Sequence, residues 1–586
     1  MLAAEEFGTM AGMLRSRAAQ KGEAEAFLFV TETATGETKR SMSYCELEAA
    51  AARLATNIED VVGPDLAGKR VLVAPASAES FVTAMFAVWL ANGIPVPAPA
   101  AGRTRVGRER LLHIAQDSSP VAALVDPADA TALPGTEHRD GQHEITFVRT
   151  PGTGDPPTGL PARPAEIALV QYTSGSTSDP KGVVLTHANL RENLALIRSR
   201  IGSSATTRTC AWLPLFHDMG LIGVMLHTVF TGGSGVLLPP SLFLKRPYRW
   251  LQLIGEERAT ATVAPNFGYQ MCVDRIRDHR LAGCDLSPLD IALNGSEVIS
   301  PDTVERFTRR FARYGFRAGA MRPCYGMAEA SLLVSCADPG SGPRAEPVDV
   351  QDLDRGILTP AAGQAPVRRV VSCGPVHWYD IAIVDPDSGR TLPDRRIGEV
   401  WVRGASVSPG YWRTPADADP KFGAETREGR GGFLRTGDLG AVHEGELYLT
   451  GRLKDVLVVR GRNLYPHDLE RELRRAHPAL RDSTAAVFPV SSGRDTLVAV
   501  AELRRWSRFA TAELELMVED IRREVARQFE VRLAGVAFVR PGNVPRTSSG
   551  KVQHTRAREL YEDNQLATVF EVADHTLRKT DRGKEL

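Results

Sequence analysis

Residues 171–182 read Gln-Tyr-Thr-Ser-Gly-Ser-Thr-Ser-Asp-Pro-Lys-Gly. Thr173 to Thr177 is a run of small residues that cannot pack a core. It offers backbone N–H groups, hydroxyls and, at Gly175, conformational freedom. Successive N–H groups in a turn bind phosphate oxygens, and Lys181 adds a positive charge beside them. Ile167-Ala-Leu-Val170 before the loop reads as a buried strand, and Val183-Val184-Leu185 after it is a second apolar run. A polar loop held between two strands suits grasping a polyphosphate. It is not a P-loop of the Gly-Lys-Ser/Thr type, because Pro180 precedes Lys181 and Gly182 follows it. The alternative is a Ser/Gly linker, which tight apolar flanks disfavour.

Working outward, the first half alternates strand-like and helix-like segments. Tyr44 to Ala55 reads as a helix, Arg70-Val-Leu-Val-Ala as a buried strand, Ser80 to Ala91 as a helix, and Val121 to Val125 as a strand. That alternation implies an α/β domain with parallel strands. Residues 337–369 are rich in Pro, Gly and Asp and read as an irregular insertion. From Val370 to about Gly451 short strands and turns imply a β-rich subdomain. Beyond Asp455 the texture changes again, and Ala512 to Phe529 has the 3.6-residue period of an amphipathic helix. The last residues are charged and read as a tail.

The chain has 586 residues, enough for several subdomains. Lys+Arg and Asp+Glu both total 71, so no overall basic field favours nucleic acid or an anionic membrane. The 7 cysteines are scattered, with no C-x-x-C pair and no zinc spacing, which fits reduced thiols. The N-terminus lacks a signal-peptide core, and no apolar run reaches the roughly 20 residues needed to span a bilayer. A cytoplasmic protein without membrane insertion is expected.

Four further motifs carry chemistry. In Tyr325-Gly-Met-Ala-Glu329 the ring of Tyr325 can stack on a purine, Gly326 permits close backbone approach, and Glu329 can hold Mg²⁺ through hard oxygen. A core tyrosine and a solvated glutamate are the plainer alternative. Leu434-Arg-Thr-Gly-Asp438 reads as a tight turn whose carboxylate can accept two ribose hydroxyls, or merely close the turn. In Gly451-Arg-Leu-Lys-Asp455, Arg452 can reach ribose or phosphate, and Lys454 with Asp455 can serve as a hinge. Asn543-Val-Pro-Arg-Thr-Ser-Ser-Gly-Lys551 presents a lysine able to neutralise charge on carboxylate and phosphate oxygens, or simply a surface lysine.

In this order the motifs resemble those of the adenylate-forming superfamily, which includes acyl-CoA synthetases, adenylation domains and luciferases, over nearly the whole chain. The resemblance implies an α/β fold with a large multi-subdomain N-terminal domain (residues 1–453), a hinge at 454–455, a small mobile α+β lid at 456–565 and a charged tail at 566–586. It implies ATP and Mg²⁺ as cofactors. Thr173, Ser174, Gly175, Ser176, Thr177 and Lys181 then correspond to the phosphate loop. Gly295, Ser296, Glu297, Tyr325, Gly326, Met327, Asp438 and Arg452 correspond to the adenine and ribose site, Glu329 to the metal carboxylate, and Lys551 to the adenylation lysine.

Three stretches resemble the fatty acyl-AMP ligase branch in wording: Pro214 to Gly223, Leu293-Asn-Gly-Ser-Glu297, and Val458-Val-Arg-Gly-Arg-Asn-Leu-Tyr-Pro466. In the last, Arg460 and Arg462 stand where acyl-CoA synthetases more often have small or acidic residues. The 337–369 segment sits where that branch carries an insertion that hinders lid rotation. The branch stops at acyl-AMP or passes the acyl group to a carrier protein, here in trans. Trp212, His217, Asn266 and Phe267 are the acid-pocket positions the resemblance implies. His217-Asp218, read as neighbours on a strand, point to opposite faces and do not readily share a metal; His217 is then a positioning or a structural histidine. Alternative activities are acyl-CoA formation, activation of a cyclic or polyketide-like acid, and nucleotide binding without turnover.

Overall fold

The computed structural model describes residues 7–33, 36–63, 66–100, 105–126, 146–147, 165–173, 180–362, 367–414, 418–459, 462–490, 496–547 and 550–574. Its centre is an eight-stranded sheet ordered Leu333–Cys336, Met321–Gly326, Ile291–Gly295, Ala261–Pro265, Arg208–Ala211, Ser234–Leu237, Glu25–Thr33 and Gly36–Ser43. The inner pairs are parallel and both edge pairs antiparallel. A parallel sheet must be covered on both faces, which explains the continuous apolar runs of its strands. Ile94–Pro97, Arg70–Ala74, Ala122–Val125 and Thr146–Phe147 form a second parallel sheet. Helix Tyr44–Val62 starts at a capping box in which Ser43 and Glu46 each satisfy the other's backbone N–H.

The β-rich subdomain is a six-stranded antiparallel sheet ordered Ala345–Asp349, Val367–Pro375, Glu446–Arg452, Leu434–His443, Gly398–Arg403 and Asp380–Val384. This corrects the reading of 337–369 as irregular. Ala345–Asp349 pairs with Val367–Pro375, and Asp349 caps the short helix Val350–Asp354 by accepting from the N–H groups of Gln351 and Asp352. Prolines and glycines break the periodicity, yet Val348, Leu353, Leu358 and Val370 bury themselves with Ala441 and Tyr448 in a small core of their own. Asp438 is also corrected: it lies within strand Leu434–His443, opposite Arg452, rather than in a tight turn. Gly437, with φ +73°, supplies the turn-like conformation inside that strand.

The C-terminal unit has separate hydrophobic cores, beginning at Leu457, whereas the large core ends at Leu447. Its mixed sheet is ordered Ala485–Pro489, Leu497–Glu502, Leu533–Val539 and Thr568–Ala573, with helices Pro466–Ala476, Thr511–Phe529 and His554–Glu562. Thr568–Ala573 pairs with Leu533–Val539 and buries Leu566 nearby, so the tail expected from 566 is in its first part a strand of this sheet. Between the cores, Leu453–Asp455 is a single 3₁₀ turn. Among the described residues no helix is long and apolar enough to cross a membrane.

Two ties join the 337–369 segment to the C-terminal unit. Arg368 pairs with the buried Asp468 at 2.6 Å, donates to His467 Nε2 at 3.1 Å and lies over the Tyr465 ring. Arg462 reaches Asp354 at 2.6 Å and the Phe529 carbonyl at 2.9 Å. Burial pushes the His467 imidazole down to about 4 against the pull of Asp468, aided by Arg368 and Arg471, so it stays neutral and accepts from Arg368. A histidine whose folded value lies below its ordinary one stabilises fully above about pH 6.5 and loses that contribution as pH falls toward 4. Thermal unfolding between pH 7.5 and 4.5 is therefore expected to show wild type losing on the order of 2 kcal/mol more than His467→Gln. Parallel pH profiles would exclude this role for His467.

Candidate active site

The loop that opens the sequence reading sits between strands Ile167–Tyr172 and Gly182–Thr186, which pair antiparallel. Its ends are closed by the Thr173 N–H donating to the Lys181 carbonyl at 3.1 Å. Ser174, Gly175, Ser176 and Thr177 lie outside the described residues. Lys181 pairs with Asp419 at 3.1 Å, and its ammonium lies 4.6 Å from the Tyr411 ring centroid.

Glu329 is buried on the 3₁₀ turn Ala328–Ala330 at the end of the central sheet. The Tyr411 hydroxyl donates to its Oε1 at 2.6 Å, and the Lys421 ammonium to the same oxygen at 2.5 Å. Burial raises its pKa, but the Lys421 charge and both hydrogen bonds outweigh that, and the carboxyl sits below its ordinary value. The group is an ionised hard-oxygen donor. Among the described residues no three metal-ligating side chains cluster. Glu329 thus fits a magnesium ion that takes its other ligands from phosphate and water, the usual habit of that ion.

Tyr325 ends strand Met321–Gly326, and its hydroxyl donates to Asp438 Oδ2 at 2.8 Å. Arg452 Nε donates to Asp438 Oδ1 at 3.0 Å. These three side chains therefore meet, across two sheets, as one hydrogen-bonded set. Gly326 has a different reason from the one its motif suggested: a Cβ there would lie 1.9 Å from the Leu332 carbonyl oxygen. The chain itself, rather than a ligand, forbids a side chain. Gly295 is likewise pressed against Cys324, while Ser296 holds a left-handed φ of +71°. Such a conformation is costly for a non-glycine residue and is often found at sites. Met327 follows Gly326 and donates its N–H to the Leu332 carbonyl.

Glu297 Oε1 accepts from the Phe267 N–H at 2.6 Å, and Asn266 Oδ1 from the Ser300 N–H at 3.2 Å. These bonds brace the start of helix Asn266–Arg275 against the end of strand Ile291–Gly295. Phe267 packs edge-on to Trp212, which stacks on Phe243 at 3.9 Å and meets Trp250. Four aromatic side chains form one apolar wall. His217 and Asp218 are not on a strand, as their neighbourhood suggested: His217 is the N-cap position of the short helix Asp218–Gly220. Burial, with the charges of Arg110 and Lys551, pushes the His217 imidazole down to about 3, so it is neutral.

Lys551 joins this group from the other hydrophobic core. Its loop is tight: the Thr547 N–H donates to the Lys551 carbonyl at 2.8 Å, and the Lys551 N–H to Thr547 Oγ1 at 3.1 Å. Gly550, at φ +87°, sits so close to Phe267 that a Cβ would be 2.9 Å from its ring. Burial and the Arg452 charge lower the Lys551 pKa, while Asp218, Glu297 and Asp438 raise it; the net shift is downward. An ammonium in the field of these groups is suited to neutralising an anion brought to the site. Asp218, Tyr411, Asp419 and Lys421 are the residues that sequence reasoning missed. Lys421 is 92 positions from Glu329, and no motif links them.

Residues 14–412 match the family described as AMP-binding enzyme, and residues 454–570 the one described as Disco-interacting protein 2-like, AMP domain. The medium-chain-fatty-acid–acyl-carrier-protein ligase JamA of Moorena producens is 34% identical over 577 residues, covering 96% of each chain. The 4-hydroxyphenylalkanoate adenylyltransferase of Mycobacterium marinum is 34% identical over 527 residues, or 86% of this chain and 84% of that one. Among solved structures, the fatty acyl-adenylate ligase from L. pneumophila in complex with acyl adenylate and pyrophosphate superposes with a TM-score of 0.72 at 28% identity, covering 98% of this chain and 99% of that one. The chain belongs to the AMP-binding enzyme family, in its fatty acyl-AMP ligase branch, and is a ligase.

Proposed function

We propose that the protein activates an apolar carboxylic acid with ATP, forming acyl-AMP and pyrophosphate, and then passes the acyl group to a carrier protein. The observation that carries this reading is the placement of the Lys551 loop: Gly550 of the C-terminal unit packs against the Phe267 ring of the N-terminal unit, and the charges of Arg452, Asp218, Glu297 and Asp438 act on the Lys551 ammonium. The substrate carboxylate attacks the α-phosphorus; a C–O–P linkage forms as the bond to pyrophosphate breaks. Both reactants are anionic, so the work of the protein is neutralisation and alignment. Lys551 bridges carboxylate and α-phosphate oxygens. Lys181 and the 173–177 loop hold the departing pyrophosphate. Asp438 accepts from ribose hydroxyls with Arg452 beside it, and Tyr325 lies against the base. A magnesium ion at Glu329 supplies further charge neutralisation on the phosphates.

Phe267, backed by the buried cluster of Trp212, Phe243 and Trp250, offers an apolar surface that suits an acyl chain. JamA is named for a medium-chain fatty acid and an acyl carrier protein, and the mycobacterial relative for 4-hydroxyphenylalkanoates. Both are acids with a long apolar part. The carrier as acceptor is supported by the name of JamA, and the persistence of acyl-AMP by Arg368–Asp468 and Arg462–Asp354, which restrain the C-terminal unit at the 337–369 segment. Rotation at Lys454–Asp455, which admits the acceptor thiol, has to break both.

Pyrophosphate release with Mg·ATP across a panel of carboxylic acids, with and without CoA and with products weighed, tests the reading. Acyl-AMP is expected to persist when CoA is present; ready conversion to acyl-CoA would place the protein with the CoA ligases. In Lys551→Ala, acyl-AMP formation is expected to fall about 10²–10³-fold with ATP binding kept, and a fully active variant would remove Lys551 from the mechanism. Asp354→Ala combined with Arg368→Ala is expected to raise acyl-CoA formation above wild type at equal acyl-AMP formation. An unchanged product ratio would mean that these ties do not restrain rotation.

A further inference from the structure

We propose that Lys421 is a polyphosphate-binding residue that serves as the counter-ion of Glu329 until a nucleotide arrives. The proposal rests on the reading of Glu329 as the magnesium carboxylate. A buried carboxylate needs a cation at hand, because leaving it unpaired is strongly destabilising. Lys421 fills that need, with its ammonium 2.5 Å from Glu329 Oε1 and 3.1 Å from the Tyr411 hydroxyl. A magnesium ion on Glu329 removes the reason for the ammonium to stay, since two cations on one oxygen repel.

The local structure allows only the side chain to leave. The Lys421 N–H donates to Asp419 Oδ1 at 3.0 Å, and its carbonyl accepts from the Arg435 N–H at 2.8 Å, so its backbone is fixed. The side chain is 24% exposed, a compact charge on a four-carbon stem with room to swing. Lys181 marks where an incoming polyphosphate would meet it. That residue flanks the phosphate loop, pairs with Asp419 two positions before Lys421, and shares the Tyr411 ring with it, at 4.6 Å against 5.8 Å for Lys421. Two ammonium groups thus stand around one tyrosine. The charges a triphosphate brings there compensate Lys421 when Glu329 no longer does.

The test uses the full chain with Lys421→Gln, which keeps a donor for Glu329 but loses the charge, and Lys421→Arg, which keeps both. Inorganic pyrophosphate and a non-hydrolysable ATP analogue are titrated calorimetrically with Mg²⁺, beside initial rates of acyl-AMP formation. Lys421→Gln is expected to bind pyrophosphate and the analogue about tenfold more weakly, with KM for the acid within about twofold of wild type. Lys421→Arg is expected to recover part of that loss. Half-saturation by Mg²⁺ is expected at lower concentration in Lys421→Gln, because the competing ammonium is gone. Unchanged pyrophosphate affinity in Lys421→Gln, with lowered stability alone, would make Lys421 a fixed counter-ion and overturn the proposal. If Lys421→Gln does not fold, a crystal structure of the wild-type chain with Mg²⁺ and pyrophosphate in which the Lys421 ammonium still lies on Glu329 overturns it as well. A wild-type chain that binds pyrophosphate but adenylates no acid would instead defeat the functional reading, and the titration would still decide Lys421.

Discussion

The site depends on one constraint: Lys551 comes from the C-terminal unit, while the charged groups that act on it, Arg452, Asp218, Glu297 and Asp438, come from the other. The ammonium can serve there only if the two units are held in register. The chain meets this requirement locally, by pressing Gly550 against Phe267, and remotely, by Arg368–Asp468 and Arg462–Asp354. Each remote tie is a partly buried ion pair with further hydrogen bonds. Such pairs add little net stability but penalise any arrangement that separates the partners. That is the property wanted of a contact that fixes orientation rather than one that drives folding.

The parts of this architecture legible in the sequence are those written in contiguous residues. Parallel strands announce themselves as apolar runs such as Arg70–Ala74 and Ala122–Val125, and the helix Thr511–Phe529 as a 3.6-residue period. The stretches around 173–181, Tyr325, Asp438 and Lys551 stand out in the sequence because small residues beside charged ones are poor core formers. The segment 337–369 was misread because its strand Ala345–Asp349 alternates weakly and gains its pairing from Val367–Pro375, beyond the intervening helix Val350–Asp354. Composition reports breaks in a pattern, whereas strand pairing is decided by a distant partner.

Asp438 and Gly326 illustrate the same limit at single residues. Asp438 follows a glycine and looks like a turn, yet Gly437 takes its positive φ inside a ten-residue strand, and the carboxylate is fixed by Tyr325 and Arg452 on separate strands. Gly326 looks like a ligand-facing glycine, yet the Leu332 carbonyl occupies the space a side chain would need. In both, the residue type was informative and the cause attached to it was wrong, because the neighbour that supplies the cause is not adjacent in sequence. Lys421 and Tyr411 carry no local signal at all; only the fold brings them to Glu329.

The polar groups around the proposed nucleotide site are paired with each other: Lys181 with Asp419, Lys421 with Glu329, and Arg452 and Tyr325 with Asp438. Pairing holds each charge in place and limits the cost of burying it while no ligand is bound. It also means that a nucleotide cannot simply add bonds; it must exchange them, taking over one partner of each pair as it enters. Exchange lowers the net gain per contact, so affinity for a single phosphate is modest, and only a ligand that engages several pairs together recovers the cost. A site built this way favours the whole polyphosphate nucleotide over its fragments, and it lets pyrophosphate leave once the bond to the α-phosphorus is broken.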